Sequence, residues 1–558
     1  GYEEQNIIDG NRKTLWKSDN QENQWVKIDL RKKQTIGGLE IFWYDNYYAK
    51  KFKILVSTDD INWEEIFSAE TVKDIFRFKK RTEVRYIKLV CQESCAGKGY
   101  EIGEIEFKGP DEKIITEKAY KLAALRSPAG YFPRWLYKQQ TYWTVVGVPG
   151  TEDKSLISED GFIEPYQKSF SIMPFLYVNK KLVTYRNVKI TRNLEKGYLP
   201  IPTVIWEHKK IRMCQTFFGW QLNETPVTYV RYNLKNKTTK PITVKLFVTI
   251  RPLQLNPPWQ GGGLSKINSI QYKVPADISY PTILINGRKA VISFTEPDKF
   301  QLQRFQDGDI VQELEDGDLA PSPDKIIDNE AHASAALQYN LRLAAGETRN
   351  FYYIVFSGDA GKRKLSLPTR DMLPKWFADN FKSVKEYWQE QLDRIQINIP
   401  EKEIIEAMKA NLAYGLIYKE GVKFQSGARN YKISRIRDGA GIAAAFLRMG
   451  LVDEVKDYIE MMSSLQYPNG MVPFYVKGNN NEIPHWSKGW QDYDSQGQFI
   501  YMIKEYYEFT KDRAWLKTKV SNIKNAIQYI IELRKKQLSE EYKKPDKRSF
   551  YGLLPESH

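Results

Sequence analysis

The stretch "GWQDYDSQGQFIYMIKEYYEF", residues 489–509, sets two carboxylates, Asp492 and Asp494, among aromatic side chains at the lip of a helical segment. A carboxylic acid walled by apolar rings keeps its proton to higher pH, so it can protonate a leaving oxygen near neutrality. Asp492 has Trp486, Trp490 and Tyr493 close by for that purpose, and Glu482 stands a few residues upstream. A plainer role is open to its neighbour. Asp494 or Ser495 can cap the helix, and Ser495-x-x-Gln498 spells a capping box. Capping accounts for Asp494 and Gln498 and leaves Asp492 unexplained. A second constellation, "SRIRDGAGIAAAFLRMG", carries Arg435, Arg437 and Asp438 at the start of another helix. Asp438 is a good cap, but a cap does not require the two arginines ahead of it.

These residues need helices to hold them, and residues 399–558 supply the pattern. "EKEIIEAMKANLAYGLIYK", "GAGIAAAFLRMGL", "VDEVKDYIEMMSSLQ", "SQGQFIYMIKEYYEFT" and "TKVSNIKNAIQYIIELRKKQ" each repeat apolar residues at helical spacing. Loops of very unequal length between them predict an α-toroid with its long loops on one face. Gly439, Gly441, Ala443, Ala444 and Ala445 would let one helix pack closely inside such a ring. A linker helix is expected at 379–398. Residues 129–378 are β-rich, and "PVTYVRYNLKNKTTKPITVKLFVTIRPLQ" predicts two alternating strands joined by a polar turn at Asn236 and Lys237. Two aromatic-rich loops, "YFPRWLYKQQTYWTVVG" and "NPPWQGGG", serve either as rigid ligand-contacting edges or as plain turns. Residues 1–109 read as short strands of a β-sandwich, and 110–128 as a helical linker.

The length of 558 residues predicts about three domains. A net charge of +15 is dispersed in short lysine pairs without an arginine stripe, which excludes nucleic acid and suits an acidic glycan or cell wall. Aromatic residues reach 13%, which fits either sugar-stacking surfaces or an aromatic β core. Cys91 and Cys95 in "CQESCAGKG" could form a local disulfide, while four scattered histidines argue against zinc. No apolar run is long enough to span a bilayer. A start at Gly1 rather than Met suits a removed leader, and the expected location is secreted, periplasmic or cell-surface. Asn223 and Asn236 head glycosylation sequons.

Residues 1–109 resemble the discoidin (coagulation-factor type C) module, a jelly roll that binds carbohydrates or surfaces. The resemblance is carried by "NIIDGNRKTLWKS", "WVKIDL", "FKILVSTDDINWEEI" and the closing "RYIKLV…EIGEIEF". It implies a structural Ca2+ held by Asp9, Asn11, Thr14 and Glu104, hard oxygen ligands of the right kind; the alternative is that "DGN" is only a tight turn. It also implies sugar-facing aromatics at Trp43, Tyr44, Tyr47, Tyr48 and Tyr100, unless these plug the end of the sandwich.

The order of β-supersandwich, helical linker and toroid resembles the glucoamylase-like clan of glycosidases and disaccharide phosphorylases. The local motifs are "SRIRDGAGIAAAFLRMG", "YPNGMVPFYV", "QDYDSQGQFIYMIKEYYEFTKD" and "GLLPESH". By that resemblance Arg437 and Asp438 bind substrate, with Arg435, Trp486 and Trp490 nearby. Asp492 is the first choice of general acid, ahead of Glu482 and Asp494, and it stands where the clan's pattern leads one to expect Glu. An inverting hydrolase needs a base about 6.5–9.5 Å from the acid, and Glu556 is the last acidic residue available. Five or six helices of a twelve-helix ring are visible, which implies a continuation, a second chain that completes the ring, or a degenerate member of the clan. The resulting expectation is a jelly roll, a β-supersandwich and an incomplete (α/α)6-type toroid, acting as an inverting exo-acting glycoside hydrolase on an oligo- or polysaccharide with no catalytic cofactor. A disaccharide phosphorylase is the close variant. A non-catalytic glycan-binding or cell-surface protein is the rival.

Overall fold

The computed structural model of the protein describes residues 3–11, 13–69, 73–112, 116–358, 365–477 and 492–556. The N-terminal region is a six-stranded antiparallel sheet in the order Trp16–Lys17, Glu101–Lys108, Gln24–Trp43, Ile75–Ser94, Ala49–Ser57, Glu64–Ala69. Two of its strands run for 20 residues each. They bend where their mutual register shifts, between Asp29 and Gln34 and between Ile36 and Gly38. Such breaks let one sheet curl over its own core. That core (Phe52, Ile54, Ile87, Tyr100 and Ile102 at its centre) is a closed apolar cluster of its own.

Helix α1 (Thr116–Arg126) leads into two large antiparallel sheets, one of eight strands and one of nine. The strands expected to form a hairpin around Asn236 exist, at Thr225–Asn236 and Ile242–Arg251, but they do not pair. The first lies between Ile211–Leu222 and Thr348–Phe356 in one sheet, the second between Ser171–Val178 and Ser334–Leu343 in the other. Asn236 is the corner between the two sheets: fully buried, its amide donates to the carbonyls of Lys240, Leu343 and Ala344. Helix α2 (Leu373–Leu392) lies on the nine-stranded sheet, where Phe377 packs edge-on against Phe218.

The helical region then runs α3 (Lys402–Tyr418), α4 (Ile436–Arg448), α5 (Val452–Ser464), α6 (Ser495–Thr510) and α7 (Arg513–Lys535). Each follows the apolar spacing read from the sequence. Helix α4 buries Ile436, Gly439, Ala440, Ala443, Phe446 and Leu447, one continuous stripe. Gly439 is required there, because a Cβ would meet the Tyr458 hydroxyl of α5 at 2.3 Å, whereas Gly441 faces open space. Phe509, in the last turn of α6, is exposed under the Arg448 guanidinium. All three cysteines are free. Cys91 lies inside a strand, and the three extended residues between it and Cys95 hold the two Cα atoms about 13 Å apart, far beyond disulfide reach. Among the described residues, no helix is long and apolar enough to cross a membrane.

Candidate functional site

Helices α4 and α6 begin side by side. A two-residue ladder, Ser434–Arg435 against Tyr475–Val476, fixes the entry to α4, and Ile436 N–H donates to Phe474 O at 3.1 Å. Arg437 then reaches the start of α6, where its Nε and Nη2 donate to the two carboxylate oxygens of Asp494 at 2.7 and 2.9 Å. Asp492 lies 3.4 Å from the same guanidinium, with only 15% of its side chain exposed. On the following residue of α4, the Asp438 carboxylate accepts from Ser426 Oγ at 2.8 Å. The Arg435 Nε is buried without a partner. One guanidinium and three carboxylates thus collect where two helix N-termini, each favourable to negative charge, come together.

This arrangement corrects the capping expectation. Asp494 sits at the N-cap of α6 but has φ −70° and ψ −14°, helical angles rather than the extended ones from which a cap reaches its backbone targets, and its side chain caps nothing. Ser495 Oγ is buried without a partner, so the capping box is absent. The Arg437 fork holds the Asp494 carboxyl below its usual pKa. That is the wrong direction for a general acid, and it removes Asp494 from that role in this geometry. Asp438 is no cap either, since it lies inside the first turn and is engaged by Ser426. Glu482, Trp486 and Trp490 fall outside the described residues. Glu556 is exposed on the tail that turns back after α7, and no hydrogen bond or ion pair joins it to Asp492 among the described residues.

Sequence reasoning passed over the loop ahead of α4. It carries Ser426 and Arg429; the latter is buried and donates through Nε to Glu164 Oε1 at 2.8 Å, from the central sheets. Glu164 Oε2 in turn accepts Leu255 and Asn256 N–H at 2.8 and 3.0 Å. These partners stand 265 residues apart in the chain, so no local pattern could reveal them.

In the N-terminal region, Trp43, Tyr48 and Tyr100 are 6%, 9% and 0% exposed. They fill the sandwich rather than face a sugar, and burial pushes the Tyr48 hydroxyl up to about 12. Tyr44 is exposed and Tyr47 half-buried beneath Lys17. The residue missed was Trp25, exposed along a groove of about 750 Å³ with Lys88 poised 4.2 Å over its ring. At the expected metal position, Asp9 accepts Asn11 N–H and Thr14 Oγ1, each at 2.7 Å. Glu104 is buried with Oε2 unpartnered, and its pKa is raised by burial and then by the Asp9 charge. The Asp9 and Glu104 carboxylates lie within electrostatic reach of each other and are hard oxygens of the kind that suits a divalent cation, while no group of three or more His, Cys, Asp or Glu side chains that could hold a metal ion occurs among the described residues.

Residues 1–106 match the family model described as the F5/8 type C domain. The N-terminal region is an F5/8 type C domain. Similar solved structures include chitosan-binding module 2 of a chitosanase/glucanase from Paenibacillus sp. IK-5, in complex with chitotriose. It is 27% identical, with 20% of this chain and 88% of that chain covered and a TM-score of 0.19. Another is CBM32-1 of a family 31 glycoside hydrolase from Clostridium perfringens, 26% identical, covering 19% and 85%, with a TM-score of 0.18. A bacterial glucoamylase complexed with acarbose is 11% identical over 71% of this chain and 60% of that one, with a TM-score of 0.48. No curated protein matches the chain.

Proposed function

We propose that the protein is carbohydrate-active: an exo-acting, inverting glycoside hydrolase whose F5/8 type C domain holds the glycan near the helical region. The observation that carries this reading is the convergence of Arg437, Asp438 and Asp492 at the paired starts of α4 and α6. Arg437 and Asp438 offer donors and acceptors to the hydroxyls of a terminal sugar. Asp494 positions Arg437 by gripping two of its nitrogens. Asp492, the less exposed of the two carboxylates, protonates the leaving oxygen. The candidate for the base that activates water is Glu556. In the domain, Asp9, Asn11, Thr14 and Glu104 would hold Ca2+, which ties the opening turn to the closing strand and takes no part in the chemistry. The protein works outside the cytoplasm, where such glycans lie.

The test is anomer-resolved NMR of a panel of oligosaccharides incubated with the protein. Release of one terminal sugar with inverted configuration is expected, and Asp492→Asn lowers that rate by about 10²–10⁴-fold. Glycan binding without release favours the non-catalytic reading. Release that requires inorganic phosphate identifies the phosphorylase.

A further inference from the structure

The loop "NPPWQGGG" carries Trp259 at its tip with 64% of the residue exposed. The loop is held far more firmly than a plain turn requires. Its backbone closes on itself through Gly262 N–H to Pro257 O, Gly263 N–H to Asn256 O and Gln254 N–H to Gly263 O, at 2.8–3.0 Å. Gly262 has no alternative, because a Cβ would lie 1.8 Å from the Asn256 carbonyl oxygen. At its root, the Leu255 and Asn256 N–H groups are taken by buried Glu164, which also grips Arg429 of the loop that leads to α4. At its tip, Gly261 abuts the same loop, with Asn430 Oδ1 3.3 Å from where a Cβ would be. Next to Asn430 stands Tyr431, 57% exposed, and four residues before Asn430 is Ser426, bonded to Asp438. The exposed indole is therefore rigidly continuous with the Arg437–Asp438 site, although it comes from the central sheets.

None of the turn's geometry needs an indole, and one so exposed adds little packing energy. A flat apolar ring presented at low conformational cost suits the apolar face of a pyranose, with an entropy advantage because the loop is already fixed. We propose that Trp259, with Tyr431, is a stacking platform for the sugar units that extend beyond the Arg437 site, so that the protein selects chains over disaccharides. This rests on the glycan reading above.

The experiment begins with the full chain on a glycan array. The glycan retained best is then titrated calorimetrically, in its longest and its two-sugar forms, against wild type, Trp259→Ala, Trp259→Phe and Arg437→Ala. Trp259→Ala is expected to weaken the long form about tenfold or more and the disaccharide less than about twofold. Trp259→Phe restores most of the loss, and the melting temperature is unmoved. If Trp259→Ala binds the long form like wild type while Arg437→Ala releases it, the platform is overturned and the glycan site at Arg437 stands. If no glycan is retained, or binding is indifferent to both Arg437→Ala and Trp259→Ala and so belongs to the F5/8 type C domain, the glycan site of the helical region and the platform fall together.

Discussion

The F5/8 type C domain and the helical region are both joined to the central sheets, but the two junctions are made of different materials. Towards the domain, the contacts are charged: Arg126–Asp74 at 2.6 Å, Arg77–Glu330 at 2.9 Å and Lys118 with Glu40. A cavity of about 80 Å³ remains between Phe76, Tyr120 and Phe305, and the domain keeps an apolar core apart from the rest. Towards the helices, one apolar core runs without a break from the sheets into α3–α6. Two of the charges buried there are well partnered. Arg429 meets Glu164, and the Lys154 ammonium is ringed by the carbonyls of Thr151, Glu152 and Lys419 at 2.6, 3.1 and 3.0 Å. Burial brings that lysine down to about 7. The difference teaches that the domain is an addition with its own stability. The sheets and helices are one folding unit, and the site at their meeting inherits its rigidity from both.

The largest effect should come from breaking the second junction. Arg429→Ala leaves Glu164 buried and unpaired, and should destabilise the main unfolding transition by about 3–5 kcal/mol. Urea denaturation checks this, and a loss below about 1 kcal/mol would contradict the shared-unit account. Calcium should act on the other side of the comparison. At 100 times its Kd, Ca2+ should add about 2.7 kcal/mol to the domain's own transition and nothing to the main one. Scanning calorimetry with and without chelator shows whether two transitions exist and which one moves. Glu104→Gln should abolish the response, because it removes the buried carboxylate charge whose Oε2 is unpartnered.

Cutting the ion pair at the first junction should matter less. Arg126→Ala should cost about 1–3 kcal/mol, read as earlier proteolytic release of the domain. Its pH dependence carries a sign. Burial raises Asp74 from 3.8 to about 6, against the pull of Arg126, so the folded junction binds a proton that the open one has lost. The junction should therefore weaken as pH rises from about 4 to about 6, and stay level above that. Without Arg126 the decline should continue to higher pH.

Much of this architecture was legible because it is periodic. Helices α3 to α7 each bury one stripe, and a stripe leaves its spacing in the sequence. Alternation in 225–251 announced two strands but not their partners, since it records only that one face is buried. The hairpin was therefore misread and the corner at Asn236 missed. Aromatic residues near loops read as sugar platforms, yet Trp43, Tyr48 and Tyr100 fill the sandwich while Tyr44, Trp25 and Trp259 are open; composition does not say which way a ring turns. At the site, the motifs singled out Arg437 and Asp492, but the bond that decides Asp494's behaviour spans 57 residues.

The two sequons offer the finest test, inside the sheets themselves. Asn236 spends its amide on three carbonyls at the corner and has no exposed surface, so a glycan there is incompatible with the native corner. Asn223 sits exposed in a turn at φ 47°, its Oδ1 accepting Ser366 N–H at 2.8 Å. Protein folded and secreted by a eukaryotic host should carry sugar at Asn223 and none at Asn236, which peptide mass spectrometry resolves. Asn236→Asp, which exchanges the donating amide for an acceptor, should cost at least about 1–3 kcal/mol, whereas Asn223→Gln, which gives up one exposed acceptor and an asparagine suited to positive φ, should cost about 0.5–1 kcal/mol. Equal tolerance at both positions would mean that the crossing between the sheets is not held by Asn236, and that the central body is looser than its shared core implies.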